Sequence, residues 1–406
     1  MSFPFGHSVS CIKEENTGVS LVISSLCCIF ATNNGGQLTT LLGGTYTYRT
    51  MEDKKLQAAL EAWQQLQPLT EDDRNRLSRR FTVDFNYNSN HIEGNTLTYG
   101  QTEILLLFGK VIGEANFRDC EEMKASNVGL QMMLMESGEK QQPLSQHFIR
   151  TLHRTLLRED YTVWRNLPGG MQTSYTVHAG QYKTRPNSVI TRYGDRFDYA
   201  SPEETPALMT DLVDWYNQAE QEGKLSPVEL AALFHYRYIR IHPFEDGNGR
   251  IARLMVNFIL ARHGYPMIVV RSRLKQHYLE ALHKADLIVG ATPADGAYAS
   301  LKDIRPFHKY MNKLIAEEVA NDVLFVTERN ENVWWYDGQR IAFRTATYSK
   351  ILRTMQIEDQ ATQAYLQKET GINRSALQKM ITTLLEKGYI ARDDNGRWRV
   401  FLTPSV

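Results

Sequence analysis

From Met51 onward, apolar residues recur at spacings of three and four between polar connectors, the period of amphipathic helices. That pattern breaks most clearly between about residues 165 and 200, in "PGGMQTSYTVHAGQYKTRPNSVITRYGDRFDYASP", where Tyr, Val, Thr, Gly and Pro dominate. The change predicts strands and a β-hairpin there. A chain patterned this way buries its helical stripes in a mainly α core and carries one β excursion.

The helical stretches begin with "MEDKKLQAALEAWQQL" and include "LTEDDRNRLSRRFTVDFNYNSNHIEGNTLT", "TYGQTEILLLFGKVI" and "PLSQHFIRTLHRTLL", the last with Ser145 as its expected cap. After the β-like segment come "PALMTDLVDWYNQA", "SPVELAALFHYRYIRI" and "GRIARLMVNFILARHG", where Gly264 and Pro266 form a helix stop. The last fifty residues read as a separate unit of helix, turn at Gly371, second helix capped by Asn373 or Ser375, Gly388 as terminator, and two short strands around Asn395-Gly396. Helix, turn, helix, hairpin is the plan of a winged helix. Between the two parts, Trp334 and Trp335 of "VWWYDGQRIAF" are expected to pack between units.

With 406 residues the chain is long enough for two or three units. Lys plus Arg balances Asp plus Glu at 46 each, so no global field draws it to nucleic acid or a membrane surface. Its four cysteines, Cys11, Cys27, Cys28 and Cys120, have neither the number nor the spacing of a disulfide framework or zinc site, which fits a reducing, cytoplasmic setting. The apolar run at residues 18 to 31 is shorter than the roughly 20 residues of a spanning helix. Glu14 and Glu15 before it oppose the basic flank of a signal peptide, so no membrane association is expected. Residues 1–50 lack helical periodicity, and Met51 reads as the start of the folded protein after an upstream extension.

Residues 242 to 250 read "HPFEDGNGR", directly after an apolar helix. Gly247 and Gly249 around Asn248 allow successive N–H groups to turn inward as an anion-binding concavity. The helix that follows adds its unpaired N–H groups and positive dipole end. Arg250 and Arg253 lie three apart on its first turn, where cations are unfavourable unless an anion offsets them, and together they imply a polyphosphate. Asp246 can give one carboxylate to a magnesium ion otherwise held by phosphate and water. His242 has the side chain suited to take a proton from an attacking hydroxyl. No Walker loop is present, because no GK followed by Ser or Thr occurs here.

"HPFEDGNGRIAR" resembles the signature of the Fic (Fido) family, HPFx(D or E)GNGRxxR, at every defined position. "AGQYKTRPNSVI" resembles that family's flap hairpin, and "FIRTLH", "PALMTDLVDWY" and "HYLEAL" its flanking segments, so the likeness covers roughly residues 80 to 315. The resemblance implies a mainly α Fic core with a β-hairpin flap, to which the small C-terminal winged helix is appended. It also implies transfer of AMP from ATP to a Tyr, Thr or Ser hydroxyl of a protein, the chain itself included. By the same resemblance His242 is the general base and Asp246 the Mg2+ ligand. Asn248 and Gly249 form the α-phosphate cradle, with Gly247 beside them in the nucleotide-binding loop, Arg250 and Arg253 meet the β and γ phosphates, and Tyr278 lines the adenine pocket, with core packing as its competing role. The flap, with Tyr182, Lys183 and Val189, docks an extended segment of the target by strand addition. Lys183 and Arg185 read as solvated hairpin charges before they read as phosphate contacts. The domain plan is then an N-terminal extension (1–50), a helical region with an inhibitory helix (51–140), the catalytic core (141–320), a bridge (321–350) and the winged helix (351–406).

"SNHIEGN" at residues 89 to 95 matches the family's inhibitory pattern. Ser89 and Glu93 are four apart and share a helical face, with Gly94 as terminator. A Glu93 carboxylate delivered to Arg253 as a bidentate pair occupies the arginine the γ-phosphate needs. Relief by oligomerisation fits such a brake.

Two other functions stay open. The site can run in reverse, with Glu93 orienting a water that removes AMP from a modified protein, or it can sense nucleotide for a DNA-binding winged helix. For DNA, "NRSALQKMITTLLEK" is the recognition helix, but Asp393, Asp394, Glu369 and Glu386 nearly offset its basic residues, which favours a protein or dimer contact. Another phosphate-containing donor is a related alternative, against which the intact GNGRxxR run favours a nucleoside triphosphate.

Overall fold

The computed structural model describes residues 51–166, 172–190, 194, 196–358, 361–392 and 396–400. The chain divides into Met1–Tyr48, outside the described residues together with the expectation about Met51 as a start, and Arg49–Val406. Five helices come first: α1 (Met51–Gln65), α2 (Glu71–Ile92), α3 (Tyr99–Phe108), α4 (Phe117–Gly138) and α5 (Gln146–Leu157). Two antiparallel hairpins follow, β1 (Tyr161–Asn166) with β2 (Gln172–Val177), and β3 (Ser188–Ile190) with β4 (Arg196–Asp198). Next are α6 (Thr205–Glu222), α7 (Pro227–Ile241), α8 (Asn248–Arg262), α9 (Lys275–Val289), α10 (Pro293–Ala297) and α11 (Arg305–Thr327). The C-terminal part holds β5 (Val333–Tyr336), β6 (Gln339–Ala342), α12 (Ala346–Ile357), α13 (Gln363–Thr370), α14 (Arg374–Glu386), β7 (Ile390–Arg392) and β8 (Trp398–Val400).

Helix starts follow local chemistry. Ser145 accepts from the Phe148 N–H, and Ser226 closes a capping box with Glu229 ahead of Pro227 at the first helical position. Asn373, not Ser375, caps α14, its side chain accepting from the Ala376 N–H. The expected turn at Asn395 lies outside the described residues.

The core centres on α8, whose Ile251, Ala252, Met255 and Ile259 are fully buried. α8 is buried on nearly all sides, Arg250, Arg253, Asn257 and Arg262 included, as suits the middle of a bundle, and α4 and α7 pack against it. The site loop therefore connects two of the most deeply buried helices, so its ends are rigid. Among the described residues no helix is long and apolar enough to cross a membrane.

The C-terminal part departs from the separate unit expected of it. α11 runs through the expected boundary at 320, and α12 precedes the two predicted helices. The C-terminal apolar cluster, with Trp334, Leu352, Leu377 and Trp398, also takes in Val83 of α2 and Tyr99 of α3, so it grows out of the N-terminal helices. Trp334 is buried and donates from Nε1 to Gln356, while Trp335 stacks under the Arg80 guanidinium.

The β5–β6 turn, Asp337-Gly338, presses on a buried charge cluster beside α2. Arg271 donates through two nitrogens to Glu318 at 2.9 and 2.6 Å and through a third to Asp84 at 2.8 Å and Asp337 at 3.3 Å. Asn88 of α2 donates to Asp337 at 2.7 Å. A side chain at position 338 would put its Cβ 2.4 Å from the Arg271 guanidinium carbon, so only glycine lets the turn approach this closely. Burial opposes ionisation of Asp84, but Arg271, Arg80 and the Tyr99 hydroxyl outweigh it and hold its carboxyl below the usual range.

Candidate active site

The loop between α7 and α8 is held by its own residues. His242 ends α7 in the left-handed region (φ 52°), its N–H donating to the Tyr238 carbonyl. The Asn248 side chain accepts from the Phe244 N–H at 3.0 Å and donates to the Phe244 carbonyl at 2.7 Å. Both ends of this buried amide are thus spent on loop shape, which leaves the backbone N–H groups of Asn248 and Gly249 at the free start of α8. Gly247 adopts φ 77°, a conformation glycine meets without strain.

The His242 ring is partly buried and lies parallel to Tyr199, centroids 3.9 Å apart. Burial, with the nearby Lys183 charge, pushes its pKa down to about 3, so the imidazole is neutral at pH 7. The Ile239 carbonyl favours the protonated ring, yet among the described residues Nδ1 has no partner of hydrogen-bond geometry. The ring opens on a cleft of about 330 Å³ bordered by Val189, Asn187, Arg185 and Glu245.

Asp246 is a hub. One carboxylate oxygen accepts from the Gly247 N–H at 2.7 Å, and the other accepts from the Tyr161 hydroxyl at 2.6 Å and Arg250 at 3.2 Å. Burial works to raise its pKa, and Arg250 with these hydrogen bonds outweighs it, so the carboxylate stays ionised. Behind the loop His153 of α5 contacts the Asp246 carbonyl through Nε2 at 3.0 Å and accepts the Gly180 N–H on Nδ1 at 2.9 Å. Burial pushes its pKa down to about 4. Tyr161 and Tyr199 have no motif to mark them, and His153, which closes the "FIRTLH" segment, has no role assigned to it by the sequence. His153 merely interrupts the apolar face of α5, between Ile149 and Leu156, where a satisfied core histidine is the ordinary reading.

Ser89 and Glu93 reach Arg253 together. Ser89 lies in α2 and Glu93 just past its end as the C-cap, followed by Gly94 at φ 103°. Arg253 donates from Nε to the Ser89 hydroxyl at 3.0 Å, and from one terminal nitrogen to the Ser89 carbonyl at 2.9 Å and to Glu93 Oε1 at 2.6 Å. The expected bidentate pair is therefore a single carboxylate contact, because Ser89 takes the Nε side of the fork. Oε1 would lie 2.5 Å from a Cβ on Gly249, so the Glu93 carboxylate sits against the backbone that opens α8.

The flap differs from a solvated hairpin at Lys183. That side chain is buried, donates from Nζ to the Ile241 carbonyl at 3.0 Å, and has its pKa pushed down to about 8 by burial. Lys183 thereby caps the C-terminal end of α7 instead of facing water. Tyr182 donates to Gln146 at 2.7 Å and packs near Phe244. Val189 is exposed on β3, which pairs with β4 alone among the described residues. Arg185 lies over the Tyr175 ring. Tyr278 is buried beside Phe307 with its hydroxyl 2.9 Å from His235 Nε2, a core position beneath Arg253.

The Fic/DOC family pattern matches residues 143–260, the span from α5 to α8. A crystal structure of a Fic domain containing signaling protein from Bacteroides thetaiotaomicron is 53% identical, covering 67% of this chain and 97% of that one, with a TM-score of 0.62. The chain belongs to the Fic/DOC family. Fic-1 from Caenorhabditis elegans (residues 134–508) superposes with a TM-score of 0.53 at 26% identity, over 68% of this chain and 73% of that one. Among curated relatives, protein adenylyltransferase fic-1 of C. elegans is 31% identical over 59% of this chain and 40% of its own length. Protein adenylyltransferase Fic of Nematostella vectensis is 29% identical over 55% of this chain and 45% of its own length. This Fic protein thus spans less than half the length of the curated relatives it matches.

Proposed function

We propose that this Fic protein transfers AMP from ATP to a hydroxyl of a target protein and is held inactive by Glu93. The observation that carries the reading is the Glu93–Arg253–Ser89 contact at the mouth of the α8 N-terminus. Its relatives named protein adenylyltransferases support the reaction class.

The target hydroxyl enters the cleft beside Val189, where the edge of β3 that is unpaired among the described residues offers main-chain groups to an extended segment. Neutral His242 takes the hydroxyl proton. The oxygen attacks the α-phosphorus, the bond to the bridging oxygen breaks, and pyrophosphate leaves. The Asn248 and Gly249 N–H groups and the α8 dipole hold phosphate charge, and Arg250 and Arg253 hold the leaving group.

Magnesium fits the donor set. No group of three or more His, Cys, Asp or Glu is placed to hold a metal among the described residues, and the half-exposed Asp246 carboxylate is the single ligand expected when phosphates and water supply the rest. Mg2+ bound there supplies charge neutralisation for the phosphates. With Arg253 engaged by Glu93, the γ-phosphate meets a carboxylate instead of a free guanidinium. ATP then binds away from the geometry in which its α-phosphorus faces His242. Label transfer from α-labelled ATP, compared between the parent and Glu93→Gly, tests the reading.

A further inference from the structure

We propose that His153 is a positioning residue: one fixed imidazole tautomer couples the foot of the flap to the phosphate-binding loop. The inference rests on the adenylyl-transfer reading of the site.

The tautomer follows from the contacts. The Gly180 N–H donates to Nδ1 at 2.9 Å, so Nδ1 carries a lone pair. The proton is then on Nε2, which donates to the Asp246 carbonyl at 3.0 Å. The ring is fully buried and parallel to Phe244, centroids 3.7 Å apart and 5° from coplanar orientation, so it cannot turn over without displacing the loop.

The consequence reaches the phosphate side through one peptide plane. In a trans peptide the C=O and the next N–H point in opposite directions. With the Asp246 carbonyl held inward by His153, the Gly247 N–H must face outward, where it meets the Asp246 carboxylate at 2.7 Å. His153 therefore sets the face of the loop that an anion meets. On its other side the ring fixes Gly180, whose carbonyl accepts from Arg150 at 2.8 Å, just before flap residues Tyr182 and Lys183. Both backbones approach too closely for a side chain. A Cβ on Gly180 would lie 3.0 Å from the Arg150 carbonyl, one on Gly247 3.3 Å from the His153 ring, and both glycines sit at positive φ (76° and 77°).

Two substitutions separate the two arms. His153→Asn keeps an acceptor near Nδ1 and loses the donor to Asp246; His153→Gln keeps a donor near Nε2 and loses the acceptor for Gly180. In a Glu93→Gly background, H153N is expected to weaken magnesium-ATP affinity by about tenfold while the Gly180 amide stays protected from hydrogen exchange. H153Q is expected to hold ATP affinity within about twofold while Gly180 exchange speeds by about tenfold or more. Two variants that shift both readouts alike reduce His153 to core packing and overturn the proposal. Calorimetric affinity and amide exchange need no turnover, so failure of the transfer reading registers separately, as an inactive Glu93→Gly parent that still binds ATP. Nitrogen-15 NMR of the unsubstituted protein reads the tautomer without any variant: Nε2–H is expected, and Nδ1–H overturns the proposal.

Discussion

Replacing Arg271 by Met should destabilise the protein by about 3–5 kcal/mol, the cost of removing one partner from a buried ion cluster. The figure is at the upper end for a single change because Arg271 is only 2% exposed and faces Glu318, Asp84 and Asp337 at once. Met keeps most of the volume, so the loss reports uncompensated charge more than a cavity. Against a typical total of about 5–15 kcal/mol it is large. Urea unfolding followed by tryptophan fluorescence reads it, with Trp334 and Trp335 in the strand leading to the Asp337-Gly338 turn. The pH dependence has a definite sign. The depressed pKa of Asp84 contributes stability above its unfolded value of about 4, and that contribution disappears as pH falls through the folded value. The gap between parent and variant should therefore narrow below pH ~4. A loss under about 1 kcal/mol at pH 7 would refute the reasoning, since it would mean the three carboxylates do not depend on Arg271.

Ser89→Ala removes the hydroxyl on Arg253 Nε but leaves the Ser89 carbonyl and Glu93, so label transfer should rise several-fold and stay well below that of Glu93→Gly. Burial pushes the Glu103 pKa up to about 7 despite the Gln356 amide donating to it. That group favours folding below its unfolded pKa, and the benefit is lost as pH rises through 7, so Glu103→Gln should match the parent near pH 4 and exceed it by up to about 3 kcal/mol at pH 8 in chemical denaturation. Because burial holds His242 at a pKa of about 3, the kcat/KM profile of Glu93→Gly should show no acid limb near pH 6.5; a limb there would mean the His242 ring is solvated.

The site was legible in the sequence where function is written locally. The run from His242 to Arg253 occupies one loop and one helix turn, and Ser89 and Glu93 lie one turn apart, so residue order alone singles them out as candidates, and the structure brings Ser89, Glu93 and Arg253 together. What stayed hidden acts across the chain. His153 meets a loop residue 93 positions away and Tyr161 one 85 positions away; "FIRTLH" resembles a flanking segment of the family but gives its His153 no role, and a Tyr opening a strand carries no periodic signal. Lys183 illustrates the same limit: a charge in a Gly- and Pro-rich hairpin reads as solvated, and only the end of α7, which needs a donor for its carbonyls, explains its burial. The sequence pattern suggests a separate C-terminal unit, whereas Val83 and Tyr99, which join its apolar cluster, lie in helices whose sequence gives no hint of that second use.

In the function proposed above, one carboxylate on one arginine holds an adenylyl-transfer site in check. Purified parent, Glu93→Gly and Glu93→Gly/His242→Ala proteins, incubated with magnesium and α-labelled ATP and examined by mass spectrometry for added AMP, test it most directly. Label is expected on Glu93→Gly, little on the parent and none on the double variant. Equal labelling of parent and Glu93→Gly would contradict the brake, and absence of label from all three would contradict the transfer reaction itself.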